Sequence, residues 1–177
     1  SYSKLDSIDV NSLKDWIANG GTLISVQSAS SWVVEDSLTD EHLLENNELD
    51  FDIPYDQIRN VSGAQRIGGA IFNVELDNTH PVAYGYGKTH PIFRRGTAFF
   101  KLSDAPAANV GRYTSSPLIS GYISEEKLDE MKNTASIISK KQDSGRIIMF
   151  ADNPAFRAFW YGTHGLLMNA ILFGKAF

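Results

Sequence analysis

The sequence predicts an α/β fold, because apolar stretches of strand length alternate with amphipathic stretches of helix length along the whole chain. No linker divides the chain, and no repeat longer than "THP" occurs in it. With 177 residues, 42% of them hydrophobic and 21% charged, it is long enough to bury about 70% of its unfolded surface. We therefore expect residues 1–177 to form a single domain, or the C-terminal portion of a longer protein.

The first third of the chain predicts a helix, a glycine turn and a strand. "DVNSLKDWIANGG" offers Asp9 or Asn11 as N-cap, and the helix is expected to stop at Gly20. "TLISV" at 22–26 is a β-branched apolar run, too short for a buried helix, and predicts a central strand. The acidic residues 37–56 show weak periodicity and predict an excursion over the surface.

The rest of the chain predicts more strands and two helices. Strand candidates are 68–76, 96–102, 108–114, and a neighbouring pair at 135–141 and 146–151. Ser124 is placed to cap a helix with an acidic first turn. A final apolar helix is expected to stop at Gly174.

Charge and composition argue against several partners. The net charge is −5 and the pI about 5.3, with Lys and Arg scattered, so a nucleic-acid partner is not expected. No run of 18 apolar residues predicts a membrane span. The chain has no cysteine, which excludes disulfides and thiolate nucleophiles.

Three short motifs resemble functional sites but lack the full spacing. "GYGKT" at 85–89 has Val82 where a phosphate-binding loop needs its first glycine. "HLLE" at 42–45 has the His-x-x-Glu spacing of two zinc ligands, but zinc needs a third, and a solvated helix turn is favoured. The two His-Pro pairs, at His80 and His90, predict turns at strand ends.

A strand that ends in small residues, "TLISVQSASSW", is typical of a nucleophile elbow with Ser28 at its tip. Gln27 and Ala29 stand where the elbow needs glycines. An inert strand-to-helix turn, whose serines cap the following helix, is therefore favoured.

Polar side chains crowd the stretch "ADNPAFRAFWYGTHG" and form the other candidate site: Asp152, Asn153, Arg157 and His164. One interpretation is structural, with Arg157 pairing to Asp152 and Thr163 capping the last helix. The other is a small-molecule site at the carboxyl ends of the strands, shared with Ser28. The structural interpretation is favoured.

Three segments carry a family resemblance: "YSKLDSIDVNSLKDWIANGGTLISVQSASSW", "GGAIFNVELDNTHPVAYGYG" and "SGRIIMFADNPAFRAFWYGTHGLLMNAILFG". Together they resemble the C-terminal domain of bacterial, chiefly Bacteroidetes-type, zinc carboxypeptidase-like proteins. That domain is similar to class I glutamine amidotransferases, so the resemblance implies a flavodoxin-like, mostly parallel sheet with flanking helices. The resemblance weakens between about residues 36 and 62.

The resemblance implies a non-catalytic accessory domain. The family's zinc ligands lie in an upstream peptidase domain, so no metal or cofactor is expected in this chain. Working amidotransferases carry a Cys at the elbow and a catalytic His after a late strand, where this chain offers Ser28 and Asp152. The alternatives are a serine hydrolase or amidase that uses Ser28 with His164 or His80, and a small-molecule binding module.

The resemblance also implies partners and a location. The fold normally starts with strands that precede "TLISV", so the sheet edge beside 22–26 is expected to be bare. We expect a homodimer or an N-terminal fragment to cover it, together with contacts to the upstream peptidase domain. The implied location is secreted or periplasmic, in the cell envelope.

Overall fold

The computed structural model describes residues 5–45, 54 and 66–176, and most of this part forms helices and strands. The strands are β1 (Thr22–Val26), β2 (Ile67–Leu76), β3 (Thr89–Gly96), β4 (Asn109–Gly121), β5 (Ala135–Gln142) and β6 (Gly145–Phe150). The α-helices are α1 (Ser7–Ala18), α2 (Ser28–Glu35), α3 (Glu125–Met131) and α4 (His164–Phe173). Short 3-10 turns cover Pro81–Ala83, Pro106–Ala108, Phe156–Ala158 and Tyr161–Thr163.

The six described strands form one sheet in the order β1-β6-β5-β4-β2-β3. Only β1 and β6 pair in parallel, and the other neighbouring pairs are antiparallel. The predicted α/β class is confirmed, but the mostly parallel sheet that the resemblance implied is corrected to a mixed one. The physical reason is short connections, since β5 and β6 are joined by a tight turn in which Asp143 has a φ of 51°.

β1 lies at an edge of the sheet, although the sequence predicted a central strand. Among the described strands it pairs with β6 alone, with Thr22 opposite Arg146 and Val26 opposite Phe150. The outer edge of β1 therefore has no strand beside it in the described part of the chain.

β3 is the strand that the sequence did not predict. It contains His90 and Pro91, although a His-Pro pair predicts a turn. β3 is the opposite edge of the sheet, where a proline costs no ladder hydrogen bond. The predicted strand at 96–102 does not form, and only Phe100 makes isolated bridges, to Leu43 and Ala135.

The helix ends are fixed by side-chain caps. α1 begins one turn earlier than predicted, because Asp6 is its N-cap and Asp9 completes a capping box. Ser124 caps α3 as predicted, accepting from the amide of Lys127. Thr163 precedes α4 but does not cap it, and its hydroxyl donates instead to the carbonyl of Pro154 at 2.7 Å.

The core lies on both faces of the sheet. One face packs Phe72, Tyr113, Phe150 and α4 residues such as Leu166. The other packs α1 and α2 against β5 and β6 through residues such as Ile17, Val33, Ile138 and Met149. Among the described helices, none has the length and apolar character needed to cross a membrane.

Candidate ligand-binding site

A cavity of about 580 Å³ lies at the carboxyl ends of β1 and β6. Ligands in open α/β sheets bind at such strand ends. β3 also contributes, although it is at the far end of the strand order, because the sheet curls until the Nε2 of Gln27 lies 3.5 Å from the carbonyl of Arg95. The described lining residues are Gln27, Ser28, Ser31, Arg66, Ile67, Gly68, Arg94, Arg95, Gly96, Thr97, Ala98, Phe100, Ala151 and Phe156.

The turn from β1 into α2 has a strained backbone at Gln27. Its φ of 53° and ψ of −121° are unusual for a residue with a side chain. The turn is fastened to the sheet, since the Gln27 amide donates to the Phe150 carbonyl at 2.8 Å. Ser30 donates to the same carbonyl at 3.0 Å, and its hydroxyl lies 3.0 Å from that of Ser25.

A nucleophile elbow carries its reactive side chain on a strained turn of this kind. The sequence predicts Ser28 at the tip, whereas the strained residue is Gln27 and Ser28 is the first residue of α2. The predicted capping by serines is also corrected. Gln27 makes no side-chain cap, and Ser30 joins α2 to the sheet.

Asp152, which follows β6, belongs to a buried polar network. Its carboxylate accepts from the guanidinium Nη1 of Arg94 at 3.1 Å, from the Tyr113 hydroxyl at 2.6 Å and from the Ser136 hydroxyl at 3.0 Å. Arg94 also donates to Tyr113 and to the carbonyl of Ala98. The expected pair between Asp152 and Arg157 is therefore replaced by one between Asp152 and Arg94.

The network is almost fully out of water, with side-chain exposures of 1% for Arg94 and 8% for Asp152. Burial raises the pKa of Asp152, and the Arg94 charge and three hydrogen bonds oppose that rise. Burial also raises the pKa of the Tyr113 hydroxyl well above its ordinary value. Asp152 is thus engaged in an ion pair with Arg94. Because Arg94 borders the cavity, this ion pair fixes one part of the cavity wall.

The remaining sequence candidates do not gather in the cavity. Asn153 accepts from the amide of Ala155 at 3.0 Å and shapes the turn after β6. The guanidinium of Arg157 is 5.6 Å from the Phe156 ring centre, on an exposed residue with a φ of 50°. His164 begins α4 with its ring 5.1 Å from that of Tyr161.

None of the four histidines lines the cavity, all of them being within the described residues. Burial, and then the charge of Arg146 at the start of β6, lower the pKa of His80 to about 4. Ser28 lines the cavity, and neither His80 nor His164 is among the described lining residues beside it.

The described part of the chain shows no metal centre. No group of three His, Cys, Asp or Glu residues in it could hold an ion. The "HLLE" motif lies in an extended segment, not in a helix turn, with Leu43 bridging Phe100. His42 and Glu45 are three residues apart, and side chains alternate along an extended segment, so these two side chains are expected on opposite sides of the chain. That arrangement does not suit two ligands of one zinc ion.

Sequence reasoning missed the arginines of the cavity. Arg94 is buried although arginine is mostly exposed in proteins. The signal was the period of two along β3, which places Arg94 on the same side as the buried Ile92. That signal was hidden because His90 and Pro91 were assigned to a turn.

Comparisons with known proteins bear on the fold alone. No family model matches the chain, and no curated protein matches its sequence significantly. Among solved structures, it is similar to STM3548, a cytoplasmic protein from Salmonella typhimurium, with 16% identity over 96% of this chain and a TM-score of 0.50. A ThuA-like protein from Bacteroides uniformis shares 10% identity over 94% of this chain, with a TM-score of 0.45. The chain spans 61% and 63% of these two proteins' lengths.

Proposed function

We propose that this chain is a non-catalytic accessory domain with the architecture of a glutamine amidotransferase, within a larger zinc carboxypeptidase-like protein. The peptidase part of this proposal rests on the sequence resemblance described above. The non-catalytic part rests on the geometry of the β1–α2 turn.

The observation that carries the proposal is Gln27 in the strained position of that turn. A carboxamide is neither a nucleophile nor a general base at neutral pH. A serine nucleophile at the next position would need a base within about 2.6–3.2 Å of its hydroxyl, and no histidine borders the cavity. Asp152, in the place of the catalytic His, is bound to Arg94.

A substrate screen tests this part of the proposal. The wild-type chain should hydrolyse neither esters, nor amides, nor glutamine above the rate of buffer. Turnover that disappears in Ser28→Ala would support the serine hydrolase instead. The matched control is Ser31→Ala, since Ser31 also borders the cavity but lies one turn further along α2.

The outer edge of β1, which has no neighbouring strand in the described part of the chain, supports a structural partner. "TLISV" has no charged residue to discourage strand pairing. On α4, Met168, Ile171 and Leu172 are 49%, 57% and 67% exposed. A helix that is apolar all round is normally buried, so this surface is suited to a companion chain.

The proposed companion is the upstream part of the same protein, or a second copy, in the cell envelope. Light scattering with mass spectrometry tests it, and a monomer of these residues alone would contradict it. The coding sequence immediately upstream tests the proposed parent. A set of peptidase zinc ligands there is the expected result, and an unrelated protein would remove the peptidase from the proposal.

A further inference from the structure

We propose that the cavity at the end of β1 binds a small organic oxyanion, that is, a carboxylate or a phosphate monoester. The inference rests on the proposed non-catalytic function in one respect, since the ligand is held and not converted. It adds to that function a chemical class of ligand.

The first support is the charge of the cavity wall. Arg66, Arg94 and Arg95 border it, and none of its described lining residues is an aspartate or a glutamate. The chain as a whole has 16 basic and 21 acidic residues, so three arginines without an acid are not its average composition. Guanidinium groups recognise carboxylates and phosphates with paired hydrogen bonds.

Two of these charges remain available to a ligand. Arg94 is neutralised by Asp152. Arg66 and Arg95 are exposed, and neither takes part in an ion pair within the described part of the chain. The Arg95 guanidinium stands 5.9 Å from the ring centre of Phe156, which also borders the cavity.

The second support is that Arg94 holds this wall in place. Its side chain is 1% exposed and bound to Asp152, and its Nε has no hydrogen-bond partner in the described structure but is enclosed. The arginine donors open to a ligand are therefore those of the exposed Arg66 and Arg95.

The uncharged lining indicates the rest of the ligand. Gln27, Ser28, Ser31 and Thr97 offer an amide and hydroxyls, and α2 starts at the cavity, which adds the partial positive charge of a helix N-terminus. Ile67, Phe100 and Phe156 supply apolar surface for a carbon skeleton. A volume of about 580 Å³ is typical of small-molecule sites.

Calorimetric titration at low salt tests the inference, with citrate and glucose 6-phosphate as probes. Glucose is the control, because it differs from glucose 6-phosphate only in lacking the phosphate. We expect a Kd of about 1 mM or tighter for at least one anion, and none for glucose. The two anions separate a carboxylate site from a phosphate site. Arg66→Gln and Arg95→Gln should each weaken binding about tenfold or more, because each removes a charged hydrogen-bond donor.

Arg112→Gln is the matched control, since Arg112 is exposed and paired with Glu75 away from the cavity. It should leave the affinity unchanged. The inference is overturned if neither anion binds, if glucose binds as tightly as glucose 6-phosphate, or if both cavity variants bind like the wild type. Conversion of a bound probe would instead contradict the non-catalytic function while leaving the binding site in place.

Discussion

Removing the carboxylate charge of Asp152 should destabilise the protein strongly. In Asp152→Asn, Arg94 keeps its charge in a site where its side chain is 1% exposed, and the remaining amide cannot neutralise it. Breaking a buried ion pair from one side costs about 3–5 kcal/mol of unfolding free energy. For a domain of this size, that loss corresponds to a fall in Tm of roughly 6–20 °C.

Chemical denaturation of the variant, at equilibrium and near neutral pH, measures the loss. Asn153→Ala is the neighbouring control and should cost only about 0.5–1.5 kcal/mol, since it removes one hydrogen bond in a turn. The double variant Arg94→Met with Asp152→Leu should lose much less than the sum of its single changes, because it leaves no unpaired charge.

A loss below about 1 kcal/mol in Asp152→Asn would contradict this prediction, since an unpaired buried guanidinium should destabilise the protein by more than that. Additive effects in the double variant would refute it as well. Either result would return Asp152 to the group of ligand-facing candidates.

Three further changes test other features of the molecule. The pKa of His80 falls from 6.5 to about 4 on folding, so the unfolded chain binds more protons between these values and stability falls as pH drops from 6.5 towards 4. His80→Asn keeps a side-chain acceptor, and in acid denaturation it should reduce that loss by roughly 1 kcal/mol after allowance for partial exposure; an unchanged slope would contradict this. Gln27→Gly should be about 1 kcal/mol more stable to urea than Gln27→Ala, because glycine adopts the positive φ without steric cost, and equal stabilities would argue against a strained turn. Changing Met168 and Leu172 together to Gln should abolish association with the companion chain in light scattering while costing an isolated chain no more than about 0.5 kcal/mol; association that persists would exclude this face.

The sequence predicted the elements whose signals are local. The β5–β6 hairpin, the cap at Ser124 and the amphipathic α1 follow from periodicity and capping chemistry over fewer than 20 residues. Strand order depends on contacts between residues that are distant in the chain. The prediction that most strands run parallel was therefore wrong, and so was the prediction of β1 as a central strand.

The candidate site was predicted only in its location. The carboxyl end of β1 was identified from the small residues after "TLISV", and the cavity lies there. The residue with the strained φ depends on how β1 pairs with β6. The strained residue is Gln27, whereas the sequence predicted Ser28. The period of two along β3 could have indicated that Arg94 is buried, but that β3 reaches the cavity depends on the curl of the sheet, which a local pattern does not show.

The elbow itself can be tested with single thiols, because the chain has no cysteine of its own. In Gln27→Cys, a thiol in the strained position would sit at the start of α2 beside the cavity arginines, an environment that lowers a thiol pKa below about 8.5. The pH dependence of alkylation measures that pKa, with Ser28→Cys as the rival position and the exposed Ser116→Cys as the ordinary thiol. We expect the lowest thiol pKa for Gln27→Cys. A lower pKa for Ser28→Cys than for Gln27→Cys, or an ordinary pKa for both, would show that Gln27 does not occupy the elbow.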